Sequence, residues 1–395
     1  MFFTRLVLSL LQKIVDTLLY MSIEIKEVKT KKELRQFVKF NLELYKGNPY
    51  HIPSLIDEEM MTLSKDKNPA FEKCDAIYFL AYKNNKIVGR IAGIYIPESN
   101  IIWKQKNARF GFVDFIDDTE VVDALFDAVT AWAKEKGMTA LHGPLGFTDM
   151  DHEGMLVKGF DQLGTMATIY NYDYYPRHIE RIGFIKDQDW IEYKIKIPEC
   201  VPEKHLRIGE IVKEKYGLKI LKFKKRKEIW PYANKIFETL NAAYSQLYAF
   251  TPLTPKQIEY YIKMYIPMLR LNLITIIIRE SDNAVVGFAI SLPSLSHAMQ
   301  KAKGSLFPFG FFHLLKALYT KSKIVDLYLM GVLPEYRNKG VNALIFNDLI
   351  PQYISLRTVY AESNPELATN NAIHAQWDYF DVEHHKTRRA YIKHI

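Results

Sequence analysis

One turn in the C-terminal half has the composition of an anion-binding loop. A strand pattern runs to Val332, a polar turn follows over residues 335–340, and residues 341–349 have the apolar spacing of a helix. The free N–H groups at such a helix start point into one site and favour an anion such as a phosphate. Gly340 lets the backbone approach closely, and neighbouring Arg and Lys side chains add positive charge. An ordinary basic turn is the alternative, but the flanking strand and helix favour the anion site.

A second group of reactive side chains lies in a glycine-rich stretch of the N-terminal half, residues 143–160. Acidic groups that line a cleft would attract a cationic amine. They lack the spacing of metal ligands, so we predict no metal site; a solvated acidic turn is the alternative. The tyrosine-rich run 170–175 can line a pocket or pack at a domain contact. From the two stretches we predict these substrate-binding residues: Asp149, Asp151, His152, Glu153 and Tyr174.

The elements that must position these groups occur twice along the chain. Residues 78–97 contain two alternating apolar strands around a polar turn, and residues 273–293 repeat this arrangement. A Val-Gly pair takes the same place in both hairpins, and a helical stretch precedes each of them. Both halves also end in a helix followed by a strand. This ordered series predicts a duplication, with domains at 21–198 and 203–395.

The order of elements in each half predicts an α/β fold. Together with the turn over residues 337–342, it resembles the GCN5-related N-acetyltransferase (GNAT) superfamily, and the duplication resembles its tandem members. The sharp motif lies only in the second half. The family's turn reads Gln/Arg-x-x-Gly-x-Gly/Ala, and this one reads RNKGVN, with Asn342 where a small residue is usual. The resemblance implies two tandem GNAT-like domains, each a mixed twisted sheet flanked by helices.

The resemblance also implies an acyl-CoA as co-substrate and an amine as acceptor. The strand and turn residues then implied in CoA binding are Met330, Val332, Arg337, Asn338, Lys339, Gly340, Val341, Asn342 and Ala343. On this basis, Gly340→Glu is predicted to abolish CoA binding while the fold survives.

Transfer to an amine needs an acid for the leaving thiolate and a base for the amine. Family members often use a tyrosine on the last helix as the acid. Here Trp377 lies nearest the usual place, and we predict Tyr379 instead, with a packed tyrosine as the alternative. We predict Glu362, at a strand end, as the base, although such carboxylates are often only solvated. His374 is a further candidate, with a structural histidine as its alternative.

The first half lacks an equivalent anion-binding turn. Its corresponding strand, residues 112–116, leads into Asp117, Asp118, Thr119 and Glu120. Acidic residues suit the first turn of a helix but repel a pyrophosphate. We therefore predict that the first domain binds no CoA.

The second half carries an insertion, residues 294–323, with an apolar stretch at 306–319. The flanking basic residues are Lys301, Lys303, Lys321 and Lys323. This combination is typical of membrane-surface elements, and an extra packed helix is the alternative. The length and layout also resemble the bacterial ceramide synthases, which N-acylate sphingoid bases. The apolar stretch at 306–319 favours a lipid amine as acceptor over a small polar one.

The composition is that of a globular protein. With 48% hydrophobic and 25% charged residues, a buried core is expected rather than disorder. The two cysteines, Cys74 and Cys200, give no disulfide framework and favour the cytoplasm. A net charge of +8 fits an anionic partner, and without a nucleic-acid-binding motif we predict no nucleic acid. Residues 1–20 are interpreted as an amphipathic segment or a mis-assigned start before Met21.

The sequence thus predicts a cytoplasmic acyl-CoA-dependent N-acyltransferase, with peripheral contact to the inner face of the membrane through residues 306–319. Three alternatives stay open at this point. They are an N-acetyltransferase of a small polar amine, a transferase that uses an aminoacyl or carrier-bound donor, and a non-catalytic sensor of acyl-CoA or lipid.

Overall fold

The computed structural model describes residues 23–395, so the predictions for residues 1–20 and for Met21 lie outside the described residues. The strands are β1 (Glu24–Glu27), β2 (Asp75–Lys83), β3 (Lys86–Tyr95), β4 (Asn107–Phe115), β5 (Ala140–Gly143), β6 (Met155–Lys158), β7 (Ile185–Lys196), β8 (Leu218–Leu221), β9 (Ile274–Arg279), β10 (Ala284–Pro293), β11 (Ile324–Val332), β12 (Tyr360–Ser363), β13 (Glu366–Leu367) and β14 (Val382–His394). The helices are α1 (Lys31–Leu44), α2 (Ile56–Leu63), α3 (Pro97–Ile102), α4 (Thr119–Glu135), α5 (Tyr174–Arg181), α6 (Glu203–Tyr216), α7 (Trp230–Tyr244), α8 (Pro255–Tyr265), α9 (Ser296–Ala302), α10 (Gly310–Tyr319), α11 (Val341–Ser355) and α12 (Asn371–His374).

One continuous sheet runs through both halves of the chain. Its strand order is β1-β2-β3-β4-β5-β14-β7-β12-β11-β10-β9-β8, with β6 beside β14 and β13 beside β7. The sheet is mixed, since β4 pairs with β5 and β11 with β12 in parallel, whereas the other pairs are antiparallel. Each half therefore repeats the same series of strands from opposite ends of the sheet.

The centre of the sheet is built by an exchange of strands. The last strand, β14, lies between β5 and β7, and β7 in turn lies between β14 and β12. Each half of the chain thus places its final strand against the sheet of the other half. The β7–β14 ladder extends from Val382↔Ile195 to Ile392↔Ile185. The domain limits at residues 198 and 203 stay a prediction, because the two halves share this central ladder.

Local sequence explains the paired hairpins and the helices that cover them. In the β2–β3 turn, Asn84 and Asn85 have φ values of 54° and 59°, as a type I′ hairpin turn requires. Helix α4 follows β4 and buries Val121, Val122 and Leu125 in the core of the first half. Helix α11 follows β11 and buries a matching apolar stripe in the second half.

Strand β11 separates from its parallel neighbour partway along its length. The β11–β12 pairing covers only Ile324↔Tyr360 to Leu327↔Ser363, although β11 continues to Val332. On the other side, the register with β10 shifts so that Tyr328 is an extra residue, a β-bulge. The second part of β11 therefore has one edge free of any strand partner. The first half has the same combination of a short β4–β5 pairing and a register shift between β3 and β4.

Candidate active site

A cleft of about 450 Å³ opens where β11 separates from β12. It brings together segments that are far apart in the sequence, including a loop of the first half. Its walls are β11 at 327–332, the turn and helix start at 336–342, the end of α7 at 243–248, the segment 363–377, and the loop 149–153.

The predicted anion-binding turn forms one wall of this cleft. Asn338 and Gly340 adopt positive φ values of 57° and 80°, which fold the chain back sharply before α11 begins. The first two residues of α11 line the cleft, so the free N–H groups and the positive end of the helix dipole lie at its wall. The guanidinium of Arg337 donates to the Ala243 carbonyl and fixes the turn against α7.

Most of the residues predicted to bind CoA line the cleft, and their role in binding stays a prediction. Those that line it are Met330, Val332, Arg337, Asn338, Gly340, Val341 and Asn342. Lys339 does not, because its Nζ lies 5.3 Å from the ring centroid of Tyr216 and 5.6 Å from that of Tyr336. Ala343 is buried in the core. Lys339 is thus exposed outside the cleft, and Ala343 lies behind its wall.

The expectation for Gly340→Glu needs correction. A Cβ atom at Gly340 would lie 2.7 Å from Ile208 Cγ2 and 3.1 Å from Val212 Cγ2 on α6. The residue also needs a left-handed φ that other residues adopt only with strain. The variant would disturb the packing of α6, so it cannot separate CoA binding from folding. Asn342, which is only partly buried at the cleft wall, is the better position.

The free edge of β11 supplies backbone groups to the cleft. The Met330 carbonyl accepts a hydrogen bond of 3.0 Å from the Tyr244 hydroxyl, and the Tyr328 carbonyl accepts one from the Asn364 side chain. Burial raises the pKa of Tyr244 to about 12, so this hydroxyl stays a donor at neutral pH. A strand edge of this kind can bind an acyl carbonyl through its backbone N–H groups.

The loop from the first half brings three carboxyl groups to the cleft, and they differ in their surroundings. Asp151 accepts N–H bonds of 2.8 Å from Phe147 and 3.0 Å from Thr148, so it stabilises the loop itself. Burial raises the pKa of Asp149 to about 7. Burial and the nearby Asp149 raise the pKa of Glu153 well above its ordinary range, and its buried Oε1 has no hydrogen-bond partner among the described residues. Asp149 and Glu153 are therefore the groups available to a ligand.

The other two predicted substrate-binding residues lie elsewhere. His152 Nε2 lies 3.0 Å from the Met166 carbonyl and lines a second cavity, described below; burial lowers its pKa to about 4. Tyr174 donates a 2.7 Å hydrogen bond to the Phe115 carbonyl and stacks on Tyr172. Because Tyr174 lines neither space, its prediction as a substrate contact is not supported.

The structure places neither member of the predicted catalytic pair in the cleft. Tyr379 does not line the cleft; it is 48% exposed, and its hydroxyl accepts from Lys204 Nζ at 2.6 Å. Glu362 is buried outside the cleft in an ion pair with Lys386. His374 Nε2 lies 3.0 Å from the Leu367 carbonyl, which fits its structural alternative.

Besides Tyr244, two further polar cleft residues were not predicted from the sequence. Glu366 accepts a 2.9 Å hydrogen bond from Trp377 Nε1, and burial raises its pKa to about 8. Tyr248 contacts His142 and Asp187, which belong to the other half of the chain. The Asn-Pro pair before Glu366 was the available signal, since it marks where β12 ends. The position of Tyr248 could not be predicted from neighbouring residues, because its partners are distant in the sequence.

This architecture is the tandem GNAT fold, as predicted. A tandem GNAT protein from the clavulanic acid biosynthesis pathway superposes with a TM-score of 0.55 at 10% identity, covering 94% of this chain and 98% of that one. A GCN5-related glucosamine N-acetyltransferase region of a fungal multi-domain β-N-acetylglucosaminidase gives a TM-score of 0.53 at 12% identity, covering 94% of this chain and 38% of that one. At these identities the likeness concerns the fold alone.

Two named proteins are similar in sequence over most of their length. Protein YghO of Escherichia coli (strain K12) is 28% identical over 374 residues, which cover 92% of this chain and 94% of YghO. The bacterial ceramide synthase of Caulobacter vibrioides (strain NA1000 / CB15N) is 29% identical over 315 residues, 78% of this chain and 80% of that protein. The second similarity agrees with the resemblance predicted from the sequence. No family model matches the chain.

Proposed function

We propose that the protein is an acyl-CoA-dependent N-acyltransferase, with the donor bound by the second half and the acceptor amine met by the acidic loop of the first. The observation that carries this proposal is the cleft itself. A helix start suited to phosphates, a free strand edge suited to an acyl carbonyl, and the carboxyl groups of Asp149 and Glu153 converge there, and Glu153 Oε1 has no hydrogen-bond partner within residues 23–395. The fold and the similarity to a ceramide synthase support the same reaction.

The cleft can provide each group that the reaction needs. The amine nitrogen bonds to the thioester carbon, the carbon–sulfur bond breaks, and CoA leaves as a thiolate that takes up a proton. Asp149, with a pKa of about 7, accepts the proton that the amine loses. Glu366, with a pKa of about 8, is mostly protonated at neutral pH and can donate to the thiolate. The β11 edge stabilises the oxyanion.

In the first half, a side chain of the protein itself occupies the position equivalent to the phosphate site, which supports the prediction that this half binds no CoA. Asp118 caps α4 by accepting a 3.0 Å hydrogen bond from the Glu120 N–H. The same carboxylate pairs with Lys83 at 2.6 Å. A carboxylate of the chain thus occupies the helix start that binds an anion in the second half.

A lipid amine is the acceptor class that we favour. The segment around α10 exposes a set of large apolar side chains, and basic residues surround them. This apolar-basic surface consists of Phe307, Phe309, Phe312, Leu315 and Tyr319 with Lys301, Lys303, Lys316, Lys321 and Lys323. Such a surface complements an anionic bilayer, and we place the protein at the inner face of the membrane through it. None of the helices described over residues 23–395 is long and apolar enough to cross a bilayer.

The proposal is tested by binding and turnover with the purified full chain. CoA, acetyl-CoA and palmitoyl-CoA are titrated first, and thiol release is then followed with dodecylamine or a small polar amine. We expect all three CoA compounds to bind and dodecylamine to be acylated faster than the polar amine. Faster acylation of the polar amine would replace the lipid amine by a small polar amine as the acceptor class. Binding of CoA compounds without turnover would favour a sensor. Absence of binding would overturn the proposal.

A further inference from the structure

A second, more enclosed cavity of about 160 Å³ lies beside the cleft. Helices α1 and α2 of the first half form one side, and α8, α9 and α10 of the second half form the other. Met150, Asp151, Ala167 and Tyr328 line both spaces. The cavity and the cleft therefore meet at the bulge of β11, next to the place where the reaction is proposed.

Flexible apolar side chains dominate one part of the cavity wall. Five of the twelve methionines in the chain line it: Met150, Met166, Met264, Met268 and Met299. Leu295 and Leu314 continue this surface towards α10. Methionine adapts its shape to apolar guests, and such a concentration is typical of surfaces that bind variable hydrocarbon groups.

Within residues 23–395, the single Arg or Lys side chain that lines the cavity is already paired. Arg90 is buried, and its guanidinium contacts Glu59 at 2.5 Å and Asp114 at 2.7 Å. Its positive charge is thus already matched by carboxylates of the protein itself. This ion-pair cluster presents no free positive charge to attract an anionic ligand.

The remaining ionisable groups of the wall supply no cation at neutral pH. Burial lowers the pKa of His51 and of His152 to about 4, so both rings are neutral at pH 7. Burial raises the pKa of Glu58, whose carboxyl has no ion pair among the described residues. Asp151 is engaged by two backbone N–H groups at the junction with the cleft. A methionine-rich wall without a free cation in the described part of the chain suits a hydrocarbon chain better than an anionic ligand.

The cavity also lies directly beneath the apolar-basic surface. Leu314 of α10 lines the cavity, whereas Phe309 and Phe312 of the same segment are 70% and 57% exposed on the outside. Leu295 and Met299 complete this part of the wall. Only the α9–α10 segment therefore separates the cavity from the surface that we place against the bilayer.

We propose that this cavity binds the long hydrocarbon chain of one of the two substrates, with the reacting end of that substrate at the junction near Tyr328. This hydrocarbon chain is that of the acyl donor or that of the amine acceptor, and the two are chemically alike because both are long alkyl chains. The role of this cavity in the reaction rests on the proposed function. The binding of a hydrocarbon chain does not, so binding and reaction can be tested separately.

The test uses Met264→Trp, which fills the cavity from α8, and Met264→Leu as the volume-conserving control. One series varies the donor among acetyl-, octanoyl- and palmitoyl-CoA with butylamine. The other varies the acceptor among butyl-, octyl- and dodecylamine with acetyl-CoA. We expect Met264→Trp to lower kcat/KM for the longest member of one series by about a hundredfold, and to leave the shortest members and the leucine variant unchanged. The affected series identifies the substrate whose chain is bound.

Binding of 1-dodecanol, measured by calorimetry without any CoA, gives a readout that needs no reaction. We expect wild type and Met264→Leu to bind it and Met264→Trp to lose it. If this holds while turnover is absent, the cavity proposal stands and the proposed function fails. If Met264→Trp keeps dodecanol binding and the full chain-length preference, the cavity proposal is overturned. Met268→Trp replaces it if thermal melting shows that the first variant is unfolded.

Discussion

At the scale of single residues, the acidic loop gives the candidate site its pH dependence. Asp149 must be deprotonated to accept a proton, and burial places its pKa at about 7. We therefore expect kcat/KM to rise as the pH increases through about 7. Asp149→Asn should remove this rise and lower kcat by about 10² to 10⁴. The pH–rate profile of both proteins checks this, with exposed Asp161→Asn as control; an unchanged profile in Asp149→Asn would exclude Asp149 as the base.

Asn342 allows CoA binding to be separated from folding. Asn342→Asp places a carboxylate at the phosphate site without adding bulk, and we expect it to weaken CoA binding on the order of tenfold. The same carboxylate is favourable in the first turn of α11, so the melting temperature should not fall. Asn342→Ala, the residue type usual in the related turn, should keep CoA affinity. Equal dissociation constants for all three proteins would mean that the phosphates bind elsewhere.

The sequence predicted the strand, turn and helix start around residues 332–341 because they are consecutive in the chain. It could not show that Tyr379 and Glu362 lie outside the cleft, because their side chains contact distant partners, Lys204 and Lys386. Glu366 was missed for the same reason, since its place in the cleft depends on the separation of β11 from β12.

At the scale of elements, α10 is distinguished by its outer face, where large apolar side chains are exposed and do not pack against the core. Phe309→Ala combined with Phe312→Ala should lower binding to vesicles containing anionic phospholipid by about a hundredfold or more, since each exposed ring contributes about 1.5–3 kcal/mol when buried. Binding should also weaken as salt increases. Ile101→Ala on α3 is the control, because Ile101 is 76% exposed but isolated from this surface. Vesicle co-sedimentation measures the effect, and equal binding by all variants would contradict the membrane contact.

Hairpins and helices followed from the sequence more readily than their arrangement. The β2–β3 turn was visible in two adjacent asparagines, and α10 in an apolar stretch. The place of β14 beside β5 was not predictable in this way. Its pairing depends on a strand about 250 residues earlier in the chain. The alternation of apolar and polar side chains predicts a strand but does not indicate which other strand it pairs with.

At the scale of the whole molecule, a buried charge cluster fastens the exchanged strands. Lys386 on β14 has a side chain that is 1% exposed, and its Nζ contacts Glu192 of β7 at 3.0 Å and also Glu362 of β12. Arg388 contacts the same Glu192 at 2.5 Å. Two carboxylates and two cations thus balance one another at the place where the two halves of the sheet are joined.

Removing one cation from this cluster should be costly. Lys386→Ala leaves carboxylates buried without their partner, and we expect the free energy of unfolding to fall by about 3–5 kcal/mol. Urea denaturation measures the change. Lys196→Ala, with a side chain that is 72% exposed, is the matched control on β7 and should change stability by less than about 1 kcal/mol. Similar stabilities for both variants would show that the cluster does not hold the strands together.

The position of β14 also determines when the protein can be completed during synthesis. The ribosome delivers β5 and β7 long before β14, the strand that separates them in the sheet. Until then the nascent first half has open strand edges, which are the surfaces through which chains pair wrongly with one another. Its sheet can be joined to that of the second half only after β14 has emerged from the ribosome. A truncation that removes β14 would therefore disturb the first half of the chain, at β5, as well as the second.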